Sequence, residues 1–231
     1  MQTDINTTTN EDIVSILFIL DESGSMEQLR KEPIQSMRSF YKTQQETGKE
    51  FLSTFITFSD KPKFVHKNIK GSEIDIKDND FKPDGMTALY DAIGTGIDYQ
   101  KNIKTKNVIC VILTDGHENS SKIYSASDIR KLTTEMEKEH KWVFIYLGAN
   151  QDSFAVSESL GINPTYSGNY AYTPEGFSGI MRGVSNTVSR CVSHDVTIEN
   201  FVPDINTIPN SEISTPPTTP KRPSLRRSFA S

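Results

Sequence analysis

The chain alternates between unbroken apolar runs and stretches in which apolar residues recur every three or four positions. Residues 12–21 (DIVSILFILD), 107–115 (NVICVILTD) and 141–149 (KWVFIYLGA) are apolar almost throughout. A strand with one wet face alternates polar and apolar residues, so an unbroken run predicts a strand covered on both faces. Residues 50–59 (EFLSTFITFS) are rich in β-branched and aromatic side chains and predict a further strand. Residues 63–69 (KFVHKNI) follow a short turn containing Pro62, which suits a hairpin and hence an antiparallel neighbour. Helical patterns cover about 26–47, 87–103, 125–140, 152–161 and 173–192. Ser125 and Asp128 form a capping-box pattern, Gly161 stops the fourth helix, and Pro174 stands in the first turn of the last.

Strands alternating with helices predict an α/β fold. The expectation is a doubly wound, Rossmann-like, mostly parallel sheet with one antiparallel edge strand and helices on both faces. The pattern divides the 231 residues into a polar N-terminus (1–11), one domain (12–194) and a tail (195–231). The tail is rich in Pro, Ser and Thr, ends in a basic stretch and is poor in large apolar residues. It is expected to be disordered, because it cannot bury enough surface to offset the entropy of ordering.

Composition narrows the function classes. The net charge of −5, with both signs mixed, does not indicate nucleic-acid binding. The two cysteines, Cys110 in an apolar run and Cys191 in the last helix, do not suggest a disulfide scaffold. The N-terminus lacks the apolar core of a signal peptide, and no run reaches the roughly 18 residues of a membrane span. A soluble cytoplasmic protein without a membrane partner is expected. His66, His140 and His194 are scattered and suggest no zinc site.

The candidate chemistry lies where apolar runs end. In an open α/β sheet, sites form at the carboxyl ends of strands. The first run ends in Asp21-Glu22-Ser23-Gly24-Ser25, and the 107–115 run ends in Asp115. Thr87 opens a helix after the loop Pro83-Asp84-Gly85-Met86. With parallel strands, Asp21, Ser23, Ser25, Thr87 and Asp115 fall on one rim. Oxygen-only ligands suit a hard cation: Mg²⁺, or else Mn²⁺ or Ca²⁺. Each residue also has a plainer reading. Ser25 and Thr87 could cap helices, and the two aspartates could form turns. His117, Glu118 and Asn119 follow Asp115 and stand near the same rim, as determinants of partner choice or simply as an exposed loop.

The Asp-x-Ser-x-Ser pattern at Asp21, Ser23 and Ser25, with Thr87 and Asp115 in order, resembles von Willebrand factor type A domains. The resemblance covers about 12–192. Residues 146–162 (YLGANQDSFAVSESLGI) also resemble small stand-alone intracellular bacterial and viral members. It implies a metal-ion-dependent adhesion site in which the hydroxyls bind the ion and the aspartates act directly or through water. An acidic residue of a partner protein then completes the shell. The implied function is a metal-dependent protein-binding module, not an enzyme. Two alternatives remain: a scaffold with a purely structural metal, and an Mg²⁺-dependent phosphoryl hydrolase. The hydrolase is disfavoured because Ser23 stands where a second acid/base carboxylate is needed, and there is no phosphate-binding Gly-rich loop.

Overall fold

The computed structural model describes residues 13–103 and 105–200. Its elements are β1 (Val14–Asp21), α1 (Glu32–Glu46), β2 (Phe51–Phe58), β3 (Pro62–Lys70), α2 (Leu89–Gln100) and β4 (Asn107–Thr114). Then come α3 (Ala126–His140), β5 (Val143–Gly148), α4 (Ser153–Ser159), β6 (Ser167–Asn169) and α5 (Pro174–Val192). The six strands form one sheet in the order β3-β2-β1-β4-β5-β6. Every pairing is parallel except that of β2 with β3 at one edge, as the hairpin reading expects. The order reverses direction between β1 and β4. Chain crossovers leave that point on opposite sides, and this opens a crevice at the carboxyl ends of the two strands.

The unbroken apolar runs are explained by the two layers they serve. Ile16, Phe18 and Leu20 of β1 face a cluster built with α1 and α5. Leu17 and Ile19 face a second cluster built with α2 and α3. Phe18 makes edge contacts with Phe40 of α1 at 5.4 Å and with Phe55 of β2 at 6.0 Å. Truncating such a buried ring to alanine costs about 3–5 kcal/mol. Both cysteines are free and buried. Among the described residues no helix is long and apolar enough to cross a membrane.

Three expectations are corrected. The helix expected over 26–47 is broken. A 3-10 segment, Gly24–Leu29, is followed by Arg30 at φ 55°, and α1 begins only at Glu32. Pro33 has no amide hydrogen and its ring clashes with the preceding turn, so it is accepted in a first turn and not in a helix interior. Strand β6 was not anticipated, since three residues carry no readable period. The chain also stays packed past the boundary expected after 194. The amides of Asp195 and Val196 donate to the Arg190 carbonyl at 2.9 and 3.1 Å, and Ile198 joins the α1–α5 cluster. Residues 1–11 and 201–231 of the expected terminal segments lie outside the described residues.

Candidate metal centre

Strands β1 and β4 run side by side and in parallel, so both deliver their last residues to one rim. Asp21 ends β1, and Asp115 follows the last residue of β4. Three hydrogen bonds and one hydroxyl contact link the segments. The Asp21 carboxylate accepts from the Ser23 amide at 2.7 Å and, from across the sheet, from the Thr114 hydroxyl at 2.6 Å. The Ser23 and Ser25 hydroxyls are 3.1 Å apart. The Ser25 hydroxyl donates to Asp115 Oδ1 at 2.8 Å.

Thr87 arrives on the loop ahead of α2, and main-chain bonds hold this loop in place. The Gly24 amide donates to the Gly85 carbonyl at 3.1 Å, and the Asp84 amide donates to the Glu22 carbonyl at 3.0 Å. Gly85 has φ +75°, a conformation side chains disfavour. The Thr87 amide donates to Asn119 Oδ1 at 2.9 Å, and the Asn119 amide returns a bond to the Thr87 carbonyl at 3.1 Å. Gly116 shows how closely the segments converge. A Cβ there would stand 3.1 Å from Thr87 Oγ1 and 3.9 Å from Ser25 Oγ, in the space the two hydroxyls flank.

The plainer readings fare unequally. The Ser25 hydroxyl is committed to Asp115, and the N-cap position of α1 is Lys31, with no side-chain capping bond, so Ser25 does not cap it. The N-cap of α2 is Ala88, with no side-chain capping bond, so Thr87 does not cap it. Asp21 does form a local turn through the Ser23 amide. Asp21, Ser23, Thr87 and Asp115 are all buried, whereas Ser25 is exposed.

Burial dominates the electrostatics. It pushes the Asp21 carboxyl up to about 6, against the hydrogen bonds from Ser23 and Thr114 and with help from the charge of Asp115. Burial likewise raises Asp115, opposed by Ser25 and Tyr172. Asp115 Oδ2 is buried and has no hydrogen-bond partner. A buried acceptor left unpaired costs about 1–3 kcal/mol. Two desolvated carboxylates, an orphaned oxygen and three adjacent hydroxyls form a set that a divalent cation would satisfy.

Several supporting contacts were not visible in the sequence. Glu118 accepts from the amides of Ser120, Ser121 and Tyr90 at 2.8, 2.7 and 3.0 Å, so it braces its own loop against the start of α2. Asp91, nearly buried in the first turn of α2, accepts from the amides of Lys122, Ile123 and Tyr124, each at 2.9 Å. A carboxylate in a helix's first turn was a visible signal, but its partners were not. Glu22 is drawn to the Lys63 ammonium at 3.1 Å. His117 is exposed. Tyr170 and Tyr172 reach the rim from the segment after β6. The Tyr170 hydroxyl donates to the Thr114 carbonyl at 3.3 Å, and that of Tyr172 to the Ser25 carbonyl.

Two other features lie elsewhere. A cleft of about 770 Å³ opens where the strands begin, beside Val14, Asn107 and Trp142, and contains none of the five residues. Glu135, Glu139 and His140 cluster at the end of α3 but are exposed.

No protein-family model matches the sequence, and no curated protein matches it. Solved structures do resemble the fold. Proximal thread matrix protein 1 from the mussel byssus aligns with a TM-score of 0.60 at 18% identity, over 76% of this chain and 46% of that one. A further structure of that protein, with a zinc-occupied MIDAS motif (its metal-ion-dependent adhesion site), gives 0.54 at 18% identity over 78% and 46%. A von Willebrand factor type A protein from Catenulispora acidiphila gives 0.57 at 12% identity over 77% and 42%. The chain thus spans less than half the length of these proteins. It covers 96% of the vWF domain of a type V pili tip protein from Porphyromonas gingivalis, at a TM-score of 0.57 and 10% identity over 78% of this chain. The strand order, the helix layers and these neighbours together give the chain the von Willebrand factor type A fold.

Proposed function

We propose that this rim is a divalent-cation site through which the domain binds a partner protein. Asp21, Ser23, Ser25, Thr87 and Asp115 would hold the ion. The observation that carries this reading is the buried, unpartnered Oδ2 of Asp115, set among hydroxyls and beside a second buried carboxylate. Oxygen donors alone favour Mg²⁺, Mn²⁺ or Ca²⁺. Zinc joins the test because the adhesion site of the mussel protein holds it. When bound, the ion supplies a positive centre for an outside carboxylate, and the partner would present that group from an Asp or Glu. The chain's own residues do the rest. Thr114 and the Ser23 amide orient Asp21, Ser25 orients Asp115, and Asn119 fixes the loop that carries Thr87.

The whole chain carries −5. Within 195–231 the acids Asp195, Glu199, Asp204 and Glu212 cancel Lys221, Arg222, Arg226 and Arg227, so −5 remains on residues 1–194. Without the ion, an acidic ligand would meet repulsion, so binding should depend sharply on the cation. A non-enzymatic role fits better than hydrolysis. Ser23 occupies the place of the second acid/base, and the nearby Lys63 is paired with Glu22.

Thermal unfolding in Mg²⁺, Mn²⁺, Ca²⁺, Zn²⁺ and EDTA tests the cation. A ligand at ten times its Kd adds about 1.4 kcal/mol to the native state. Identical midpoints in every cation and in EDTA would overturn the reading. Binding of an isolated partner that persists in EDTA would overturn the bridging role alone.

A further inference from the structure

We infer that Tyr172 is a sixth residue of this site, a positioning residue that locks the Ser25 turn against Asp115. The inference rests on the cation reading above and adds a fourth chain segment to it.

Ser25 is the weak point of the cluster. Asp21, Ser23, Thr87 and Asp115 are buried and held by the surrounding fold, whereas Ser25 is exposed, on a 3-10 segment that ends at Leu29. Its hydroxyl nevertheless has to point at Asp115 and lie beside Ser23. A hydroxyl turns to suit its partners, so the bond to Asp115 lasts only while the main chain keeps Ser25 in place. Tyr172 holds it there. Its phenol oxygen lies against both the Ser25 main-chain carbonyl and the Asp115 carboxylate, and its one O–H donates to either acceptor in turn. One side chain thus holds the turn from β1 and the end of β4 together.

The segment that carries Tyr172 is itself fixed. Strand β6 pairs with β5 from Ser167 to Asn169, and the Tyr170 amide extends the pairing by donating to the Gly148 carbonyl at 3.0 Å. Tyr170 is buried, with its ring edge-on to Phe177 at 5.7 Å. Two residues on, Tyr172 packs partly against the same core. Thr173 then caps α5 by accepting from the Gly176 amide at 3.0 Å. The tyrosine stands between a strand and a cap, and a ring with only two rotatable bonds loses little freedom there. Groups that orient a metal's ligands without touching the metal typically change affinity by 10- to 100-fold.

The test compares full-length wild type, Tyr172→Phe, Tyr172→Leu and Asp115→Asn. Mn²⁺ affinity is measured by titration calorimetry well below each unfolding midpoint, with midpoints taken in EDTA. Tyr172→Phe keeps the ring and removes the donor. It is expected to bind Mn²⁺ about tenfold more weakly, at the low end for such groups, with little change of midpoint in EDTA. Tyr172→Leu is expected to lower tyrosine-excited Tb³⁺ luminescence per bound ion as well. The lone tryptophan, Trp142, precedes β5 at the opposite end of the sheet and contributes little to that signal. Wild-type Mn²⁺ affinity in Tyr172→Phe overturns the inference, even if that variant is less stable. If Asp115→Asn is then the only variant to lose the ion, the cation reading stands without Tyr172. Failure of wild type to bind Mn²⁺ overturns the inference, and failure to bind Mg²⁺, Ca²⁺ and Zn²⁺ as well overturns the cation reading.

Discussion

Two kinds of buried polar cluster stand on this sheet. One kind is neutral and closed. Gln100, buried at the end of α2, donates to Ser15 at 2.8 Å and Thr105 at 3.3 Å, and accepts from Thr54 at 3.1 Å. Likewise the buried Ser53 hydroxyl is shared by Tyr41 at 2.9 Å and His66 at 3.0 Å. The other kind is the rim cluster, which holds two carboxylates, raises both, and leaves Asp115 Oδ2 unpaired. Closed clusters bury polar groups at little net cost, because each lost water is replaced. The rim cluster retains its desolvation cost and an unfilled valence. The Gln100 and Ser53 clusters are satisfied within the fold, whereas the rim cluster leaves a carboxylate oxygen for something from outside.

The contrast can be broken at either end. The largest effect is expected from Gln100→Leu, which leaves Ser15, Thr54 and Thr105 without their shared partner. A loss of about 3 kcal/mol in urea unfolding is expected, with the response to cations unchanged. An altered cation response would mean that the two clusters are coupled.

Acid separates the clusters next. Asp21, raised to about 6, keeps a proton that the unfolded chain releases nearer 3.8. In EDTA this group therefore adds stability as pH falls from about 6 towards 3.8, and that stability is lost as pH rises back through 6. His66, pushed by burial from 6.5 to about 4, has the opposite sign. It contributes stability above 6.5 that is lost as pH falls through 4. Each effect reaches at most about 1.4 kcal/mol per pH unit crossed. Urea midpoints between pH 7 and 5 should therefore rise more on acidification in His66→Gln than in wild type, and less in Asp21→Asn. Parallel profiles would remove the electrostatic distinction.

A smaller effect concerns the cation alone. Asp115→Asn should abolish the gain of about 1.4 kcal/mol at a cation concentration of ten times the wild-type Kd. Its stability in EDTA should stay close to wild type. The smallest change is Thr87→Ala. Its hydroxyl caps no helix, so a cost under about 1 kcal/mol is expected in EDTA, with weaker cation binding seen in the same calorimetric titration.

Much of this arrangement was legible in the sequence, and the reasons are physical. The runs of β1, β4 and β5 could be read as doubly covered because such strands admit almost no polar residue. The capping box at Ser125 formed as written, with Asp128 returning its bond. The five rim residues were placed by a rule about strand ends, which requires only that the strands be parallel. Other features depended on what the chain meets in space. Pro33 could be seen, but not that Arg30 and Lys31 would open the helix ahead of it. Strand β6 exists because Gly148 still had a free edge to offer, and no local pattern records that. Thr114 looked like an ordinary β-branched strand residue, and only the register across β1 turns its hydroxyl into a ligand of Asp21. Tyr172 lies far along the chain from the residue it holds, so no spacing rule could link them.

The position of β1 also governs how the molecule comes into being. Val14 sits opposite Phe51 on one side and Asn107 on the other, so the strand made earliest is the one that needs partners made much later. During synthesis β1 can pair with β2 once the α1 crossover between them has formed, but its second edge stays open until β4 has left the ribosome. Contacts so distant along the chain slow folding, and an apolar open edge meanwhile invites pairing with other chains. Yield from overproduction should therefore depend on how quickly β4 follows β1 and on the temperature at which the wait is spent.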